Sequence, residues 1–327
     1  MNSLDIINLG YGFAIGNNLD VNTTDGPKEK NINWEIGWFN KPIDQTLINN
    51  IKYRGFKTVK LPISWYDHIE WNDDYSKCYC EKWWLDRCKE VVQMVIDAGL
   101  YCVINTQHDG DWIRSGIMSA YDWSIDTTIE KYKSLWAMIA EEFKDFSTDK
   151  LIYENHNEVG TNSSELFNKL ANAFCSTIRS VEGNNDRLLL VAGNWADIDY
   201  TANETELDIQ DENYAIAFHL YTPVEFTLPD HILDKVSYPM KKEMGYDIKD
   251  VYADGDYLGV HGNSDPYIDK YGGEVLVKEY DSAALAKVLS TLIKFKNNVN
   301  IPVIITEFGC STFFRDKDHV YNWFKQV

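Results

Sequence analysis

The sequence predicts an α/β fold built as a (β/α)8, or TIM, barrel that counts out one strand short of eight. Three observations carry that expectation. Short apolar runs alternate along the chain with longer segments whose apolar residues recur at helical spacing. Most of the runs are continuous and β-branched, without polar alternation, as parallel strands buried on both faces are. Seven strand-then-helix repeats can be counted, which favours a barrel over a doubly wound sheet.

Ile6 to Asn18 reads as the first strand, ending in polar Gly and Asn. A helix over Asp44–Tyr53 stops at Gly55, and TVKLPI (58–63) is the second strand. Trp84, Cys88, Val91, Val92 and Val95 mark a helix closed by Gly99, before the strand LYCVINT (100–106). Ile129, Tyr132, Trp136, Ile139 and Phe143 form the stripe of a long amphipathic helix, followed by a strand over Leu151–Asn155. Leu166, Phe167, Leu170, Phe174 and Ile178 mark the next helix, closed at Gly183. Strands over Leu188–Ala192 and Tyr214–His219, a helix over Ser282–Phe295, a strand over Pro302–Thr306 and a helix over His319–Gln326 complete the order. The Gly-, Asp- and Tyr-rich segment 222–279 is expected to be an elaborated loop over the barrel mouth, so that 1–327 is one domain.

Composition excludes several classes. No run approaches the roughly 18 apolar residues of a membrane span. With 31 Lys and Arg against 51 Asp and Glu, the net charge of −20 repels phosphate backbones and acidic lipid, so neither nucleic acid nor membrane is an expected partner. The six Cys show no paired CxxC set and no zinc-ligand spacing. No P-loop, dinucleotide fingerprint, HExxH or GxSxG is present. No cofactor or metal is expected. MNSLDIINLGYGF lacks a basic start and a long apolar core and does not read as a signal peptide.

In a parallel barrel the chemistry stands at the C-terminal ends of the strands. There the sequence delivers Asn17, Asn18 and Asp20; Lys60, Trp65 and His68; Gln107, His108, Asp109 and Trp112; Asn157 and Glu158; Asn194 and Trp195; His219 and Tyr221; and Glu307. Glu158 and Glu307 each end a largely apolar run, where a carboxylate is poorly solvated and needs a partner or a task. Two such carboxylates about 5–5.5 Å apart are the equipment of retaining glycoside hydrolysis. Trp38, Trp65, Trp112 and Trp195 are candidate platforms for stacking on sugar rings.

Several motifs make the chemistry more specific. GNNLD (16–20), WEIGWFNKP (34–42), GFKTVKLPISW (55–65), YENHNEVG (153–160), FHLYTPVEFT (218–227) and IPVIITEFG (301–309) together resemble glycoside hydrolase family 5, in its endo-β-1,4-glucanase branch. The resemblance implies a retaining, endo-acting hydrolase of cellulose, mixed-linkage glucan or xyloglucan, monomeric and extracellular, whose partner is a polysaccharide or oligosaccharide substrate. It implies Glu158 as acid/base and Glu307 as nucleophile. Asn157 would hold the sugar 2-hydroxyl, Tyr221 would orient Glu307, and His219 would stand beside Glu158. Lys60 replaces the family's Arg and keeps the charge without the bidentate fork, while Gln107 replaces the first His of a pair of which His108 is the second. These departures keep open a glycan-binding relative without turnover, and the aromatic residues leave β-mannanase specificity open.

Overall fold

β-Branched and aliphatic runs pair here as parallel strands. The computed structural model describes residues 6–22, 33–38, 40–118, 124–222, 227, 282–311, 317–325 and 327. The strands are β1 (Gly12–Ala14), β2 (Thr58–Leu61), β3 (Ile69–Trp71), β4 (Cys78–Cys80), β5 (Tyr101–Ile104), β6 (Leu151–Glu154), β7 (Leu189–Ala192), β8 (Tyr214–Leu220) and β9 (Val303–Phe308). Seven of them form one sheet in the order β1-β2-β5-β6-β7-β8-β9. Each hydrogen-bonds to the next in chain order, with β3 and β4 set aside as an antiparallel pair. This is the sequential parallel order of a (β/α)8 barrel, with seven of its strands among the described residues.

Register decides which side chains share a face. Lys60 pairs with Val103, and Glu154 with Leu190. Val103 and Leu190 belong to the buried cluster with Leu9, Ile152, Leu188, Ala215 and Ala217. In-register neighbours of a parallel sheet point the same way. Lys60 and Glu154 therefore project into the same apolar interior as that cluster.

The helices are α1 (Gln45–Tyr53), α2 (Lys82–Asp97), α3 (Gly110–Ile117), α4 (Ile125–Glu142), α5 (Ser164–Ser180), α6 (Ile198–Glu204), α7 (Ser282–Val299) and α8 (Lys317–Phe324). Their starts are chemically marked. Asp44, Ser124, Ser163 and Asp197 each accept a hydrogen bond from the backbone N–H three residues on. Gly99, at φ +81°, supplies the left-handed residue that ends α2 and turns the chain into β5. None of the described helices is long and apolar enough to cross a membrane.

The chain groups into two compact units, one of Met1–His219 with Lys294–Thr306, the other of Leu220–Ile293 with Glu307–Val327. In the second, Trp323 is fully buried and donates its indole N–H to Thr222 O at 3.0 Å. Thr227 donates to Tyr221 O, and its own carbonyl accepts from Ser311 N at 2.7 Å. The elaborated loop expected over 222–279 lies outside the described residues apart from Thr222 and Thr227.

The structure departs from expectation in three places. Only Gly12–Ala14 of the segment 6–18 is strand. The β3–β4 hairpin was not foreseen, because three-residue strands are too short to show a period. The same holds for the two short helices α3 and α6, of eight and seven residues.

Candidate active site

The end of β6 is held more tightly than its loop-like sequence suggests. Asn155 O accepts from Thr106 Oγ1, Tyr132 OH and Trp136 Nε1, each at 3.1 Å. Asn155 Oδ1 accepts from His156 N and, across to β7, from Ala192 N. Three residues on, Glu158 takes φ +35°, in the left-handed region where a β-carbon is unfavourable. Of six non-glycine residues with positive φ among those described, Asn17, Glu158, Trp195 and Ala196 follow strand ends. Such strain costs on the order of 1–3 kcal/mol per residue and collects at functional sites. It lifts the Glu158 side chain to 49% exposure, and His219 on β8 presents Nδ1 to its Oε1 at 2.7 Å. An N–H donated there fixes one carboxyl oxygen while the group stays accessible. Asn157 Oδ1, buried beside it, has no hydrogen-bond partner among the described residues and is an open acceptor there.

The ends of β1, β2 and β5 form a second cluster. Asn40 donates to Gly16 O and Asn17 O, and Asn18 to Glu35 O and Lys41 O, so GNNLD and WEIGWFNKP are one hydrogen-bonded unit. Asp20 lies 4.0 Å from His108 Nε2, and burial raises its pKa against backbone donors and His108. Trp38, half-buried, sets its ring edge-on to His108 at 5.5 Å. Gln107 accepts from Asn105 Nδ2 at 2.7 Å, and the Asn105 backbone carbonyl accepts from Trp65 Nε1. Asn105 and Asn155, which end β5 and β6, organise this rim. Sequence reasoning passed over both, although each is a polar residue closing an apolar strand.

Lys60 is engaged by a partner that the sequence did not announce. Its Nζ lies 2.6 Å from Glu154 Oε2, and both side chains are almost wholly buried. Glu154 Oε1 has no hydrogen-bond donor among the described residues.

Two of the four expected sugar platforms are corrected. Trp65 is 0% exposed, donates to Asn105 O at 3.0 Å and packs edge-on against Phe143. Trp112 is likewise buried and donates to Asp109 Oδ1. Indoles whose faces are covered and whose N–H groups are spent cannot stack on a ligand. Trp195 is different, at 39% exposure on a left-handed residue with φ +61°. A β-carbon added at Gly160 would meet its ring at 1.6 Å, so only glycine lets the indole lie this close to the Glu158 loop. Arg114 stands 5.5 Å from the Trp195 ring.

In the second unit Tyr221 OH donates to Glu307 Oε2 at 3.1 Å. Gly309 follows close by, its β-carbon position 3.8 Å from the Tyr221 ring.

Two buried groups next to these residues set opposing acid responses. Burial drives the His156 imidazole down from 6.5 to about 3. Its contribution to stability is complete above pH 6.5 and drains as the pH falls towards 3. Burial lifts Asp109 from 3.8 to about 6, against hydrogen bonds from Trp65 N and Trp112 Nε1. Its contribution is complete below 3.8 and is lost as the pH rises through about 6. The two slopes, each at most about 1.4 kcal/mol per pH unit, oppose one another between roughly pH 4 and 6. Denaturation midpoints across that range should therefore rise on acidification in His156→Leu and fall more steeply than the parent's in Asp109→Asn. A His156→Leu profile parallel to the parent's contradicts this reading.

With this geometry in hand, comparison with known proteins gives the family. The family profile described as cellulase (glycosyl hydrolase family 5) matches residues 17–327. Endoglucanase A of Clostridium longisporum is 31% identical over 234 residues, covering 67% of this chain and 43% of that protein. Endoglucanase A of Ruminococcus albus is 28% identical over 312 residues, covering 91% of this chain and 71% of that protein. The chain thus spans less than half the length of the first of these relatives. A solved GH5-4 broad specificity endoglucanase from an uncultured bovine rumen ciliate shares the fold with a TM-score of 0.74 at 24% identity, over 99% of this chain and 84% of that one. The profile match takes in every strand end from Asn17 to Glu307, and the chain belongs to the cellulase family, glycosyl hydrolase family 5.

Proposed function

We propose that the chain is a retaining endo-β-1,4-glucanase. The observation that carries the reading is the Glu158 carboxyl, raised on a left-handed residue at a strand end and held by His219. In this reading Glu158 protonates the glycosidic oxygen as that bond to C1 breaks, and Glu307 attacks C1 to form an ester. Water then enters, gives its proton to Glu158 and releases the sugar with its configuration kept. The Tyr221 hydrogen bond to Glu307 holds the attacking carboxylate in one orientation. The open acceptor on Asn157 suits a sugar 2-hydroxyl. Endoglucanase relatives support cellulose and other β-1,4-glucans as the substrate class. Polymers of that size do not cross membranes, which supports an extracellular site of action.

A second reading, a member that holds glycan without cutting it, is favoured by the Lys60 ammonium being engaged by Glu154 and by Gln107 standing hydrogen-bonded to Asn105. New reducing ends from carboxymethylcellulose, barley β-glucan and glucomannan separate these readings, and the ratio of glucomannan to glucan cleavage tests mannanase specificity. We expect release from the glucans. No release from any of the three overturns the hydrolase reading. If Gln107 limits the rate, Gln107→His should raise turnover about tenfold, the scale of one preorganised polar contact; an unchanged rate means that this position is not limiting.

A further inference from the structure

The burial of Trp65 and Trp112 brings forward a neighbour that the sequence did not single out. Tyr66 is 46% exposed at the C-terminal end of β2. Its ring lies at 28° to the buried Trp112 ring with centroids 6.2 Å apart, and it rests against Trp71 at 6.1 Å. The backing is itself fixed. Trp71 donates to Ser134 Oγ, Trp112 donates to Asp109, and the buried Lys131 ammonium sits 4.2 Å from the Trp71 ring and 5.5 Å from that of Trp112. The backbone is pinned on both sides of Tyr66, by Trp65 N donating to Asp109 Oδ2 and by His68 N donating to Trp65 O. Tyr66 is therefore an aromatic side chain on a fixed backing, with nearly half of its surface exposed.

Position separates it from Tyr11 and Tyr53. Tyr11 and Tyr53 are more exposed, but they precede β1 and end α1, at the opposite ends of the strands from Glu158. Tyr66 meets α3 at Trp112, while the Glu158 loop meets the same helix at Gly110, where a β-carbon would stand 2.7 Å from Asn157 O. The first turn of α3 thus spaces Tyr66 from the reacting residues.

We propose that Tyr66 is a stacking platform for a β-linked glucan chain, taking the apolar C–H face of a glucosyl residue away from the linkage that is cleaved. This rests on the glucanase reading for its ligand class, and it adds a binding position that acts only on chains long enough to reach it. A ring backed by Trp112 and Trp71 loses little entropy on binding, which is what makes an aromatic contact effective.

The test is calorimetric binding of cellohexaose and cellobiose to the Glu158→Gln chain, alone and with Tyr66→Ala, Tyr66→Leu or Tyr66→Phe. Turnover of barley β-glucan is measured in parallel with Glu158 intact. Tyr66→Ala and Tyr66→Leu should weaken cellohexaose about tenfold, with cellobiose affinity and melting temperature unchanged. Tyr66→Phe, which keeps the ring, should stay within about threefold of the parent. Tyr66→Leu keeps apolar cover on Trp112, so a loss there reports the missing ring face and not a disturbed core. Cellohexaose bound as tightly by Tyr66→Ala as by the parent overturns the platform, and so does equal loss for both sugars or for Phe and Ala. Binding that depends on Tyr66 in a chain that cleaves nothing upholds the platform and sinks the glucanase reading. Cleavage with binding indifferent to Tyr66 does the reverse.

Discussion

Glu307→Gln and Glu158→Gln are each expected to lower turnover on β-glucan by at least about a thousandfold, while the folded chain keeps its melting temperature. Acid–base assistance alone contributes about 10²–10⁴, and loss of the nucleophile removes the covalent route. The two substitutions should be distinguishable. With an aryl cellobioside whose leaving group needs no proton, Glu158→Gln should still complete the first step and then stall, because no base activates the water. Glu307→Gln should fail at the first step whatever the leaving group. Stability should hold because Glu158 is half exposed at 49%, and glutamine keeps an acceptor oxygen for His219. Comparable residual activity on both substrates in both variants contradicts the division of roles.

The second large effect concerns stability. Lys60→Met or Glu154→Leu alone should cost about 3–5 kcal/mol, because each leaves a charge in the apolar interior shared with Val103 and Leu190. The double substitution should recover most of that loss, since well-packed apolar groups often replace a buried ion pair at little or no cost. Denaturant midpoints of the four chains give the coupling directly. Activity of the double variant then isolates chemistry from folding. A chain as stable as the parent but slow on glucan assigns the Lys60 charge to the reaction, whereas parent-like activity makes the pair purely structural. Additive losses in the double variant would mean that the two side chains do not depend on one another.

Much of the fold is written in period and punctuation. The stripes of α2, α4 and α5 lie where Trp84, Ile129 and Leu166 begin them, and Asp44 and Ser163 cap helices that their sequences announce. The strand-end acids could be read because an ionisable group after an apolar run is conspicuous. What could not be read is direction. Trp65 and Tyr66 are adjacent, and the outward face belongs to Tyr66 because Asn105 and Phe143 enclose its neighbour. Likewise, a Glu at position 154 looks like a rim residue until strand register sets it beside Lys60. Short elements such as β3 and β4 owe their existence to pairing with each other, which no local pattern encodes.

Double displacement through Glu307 requires a covalent sugar ester on that side chain. Incubating the chain with a 2-deoxy-2-fluorocellobioside bearing a reactive leaving group, then digesting it and locating the added mass by fragmentation, detects that ester. One fluorocellobiosyl group per chain is expected, on Glu307 and absent from Glu307→Gln, as the double-displacement route requires. A label on Glu158 or elsewhere, or hydrolysis that proceeds unlabelled with inverted product, contradicts it.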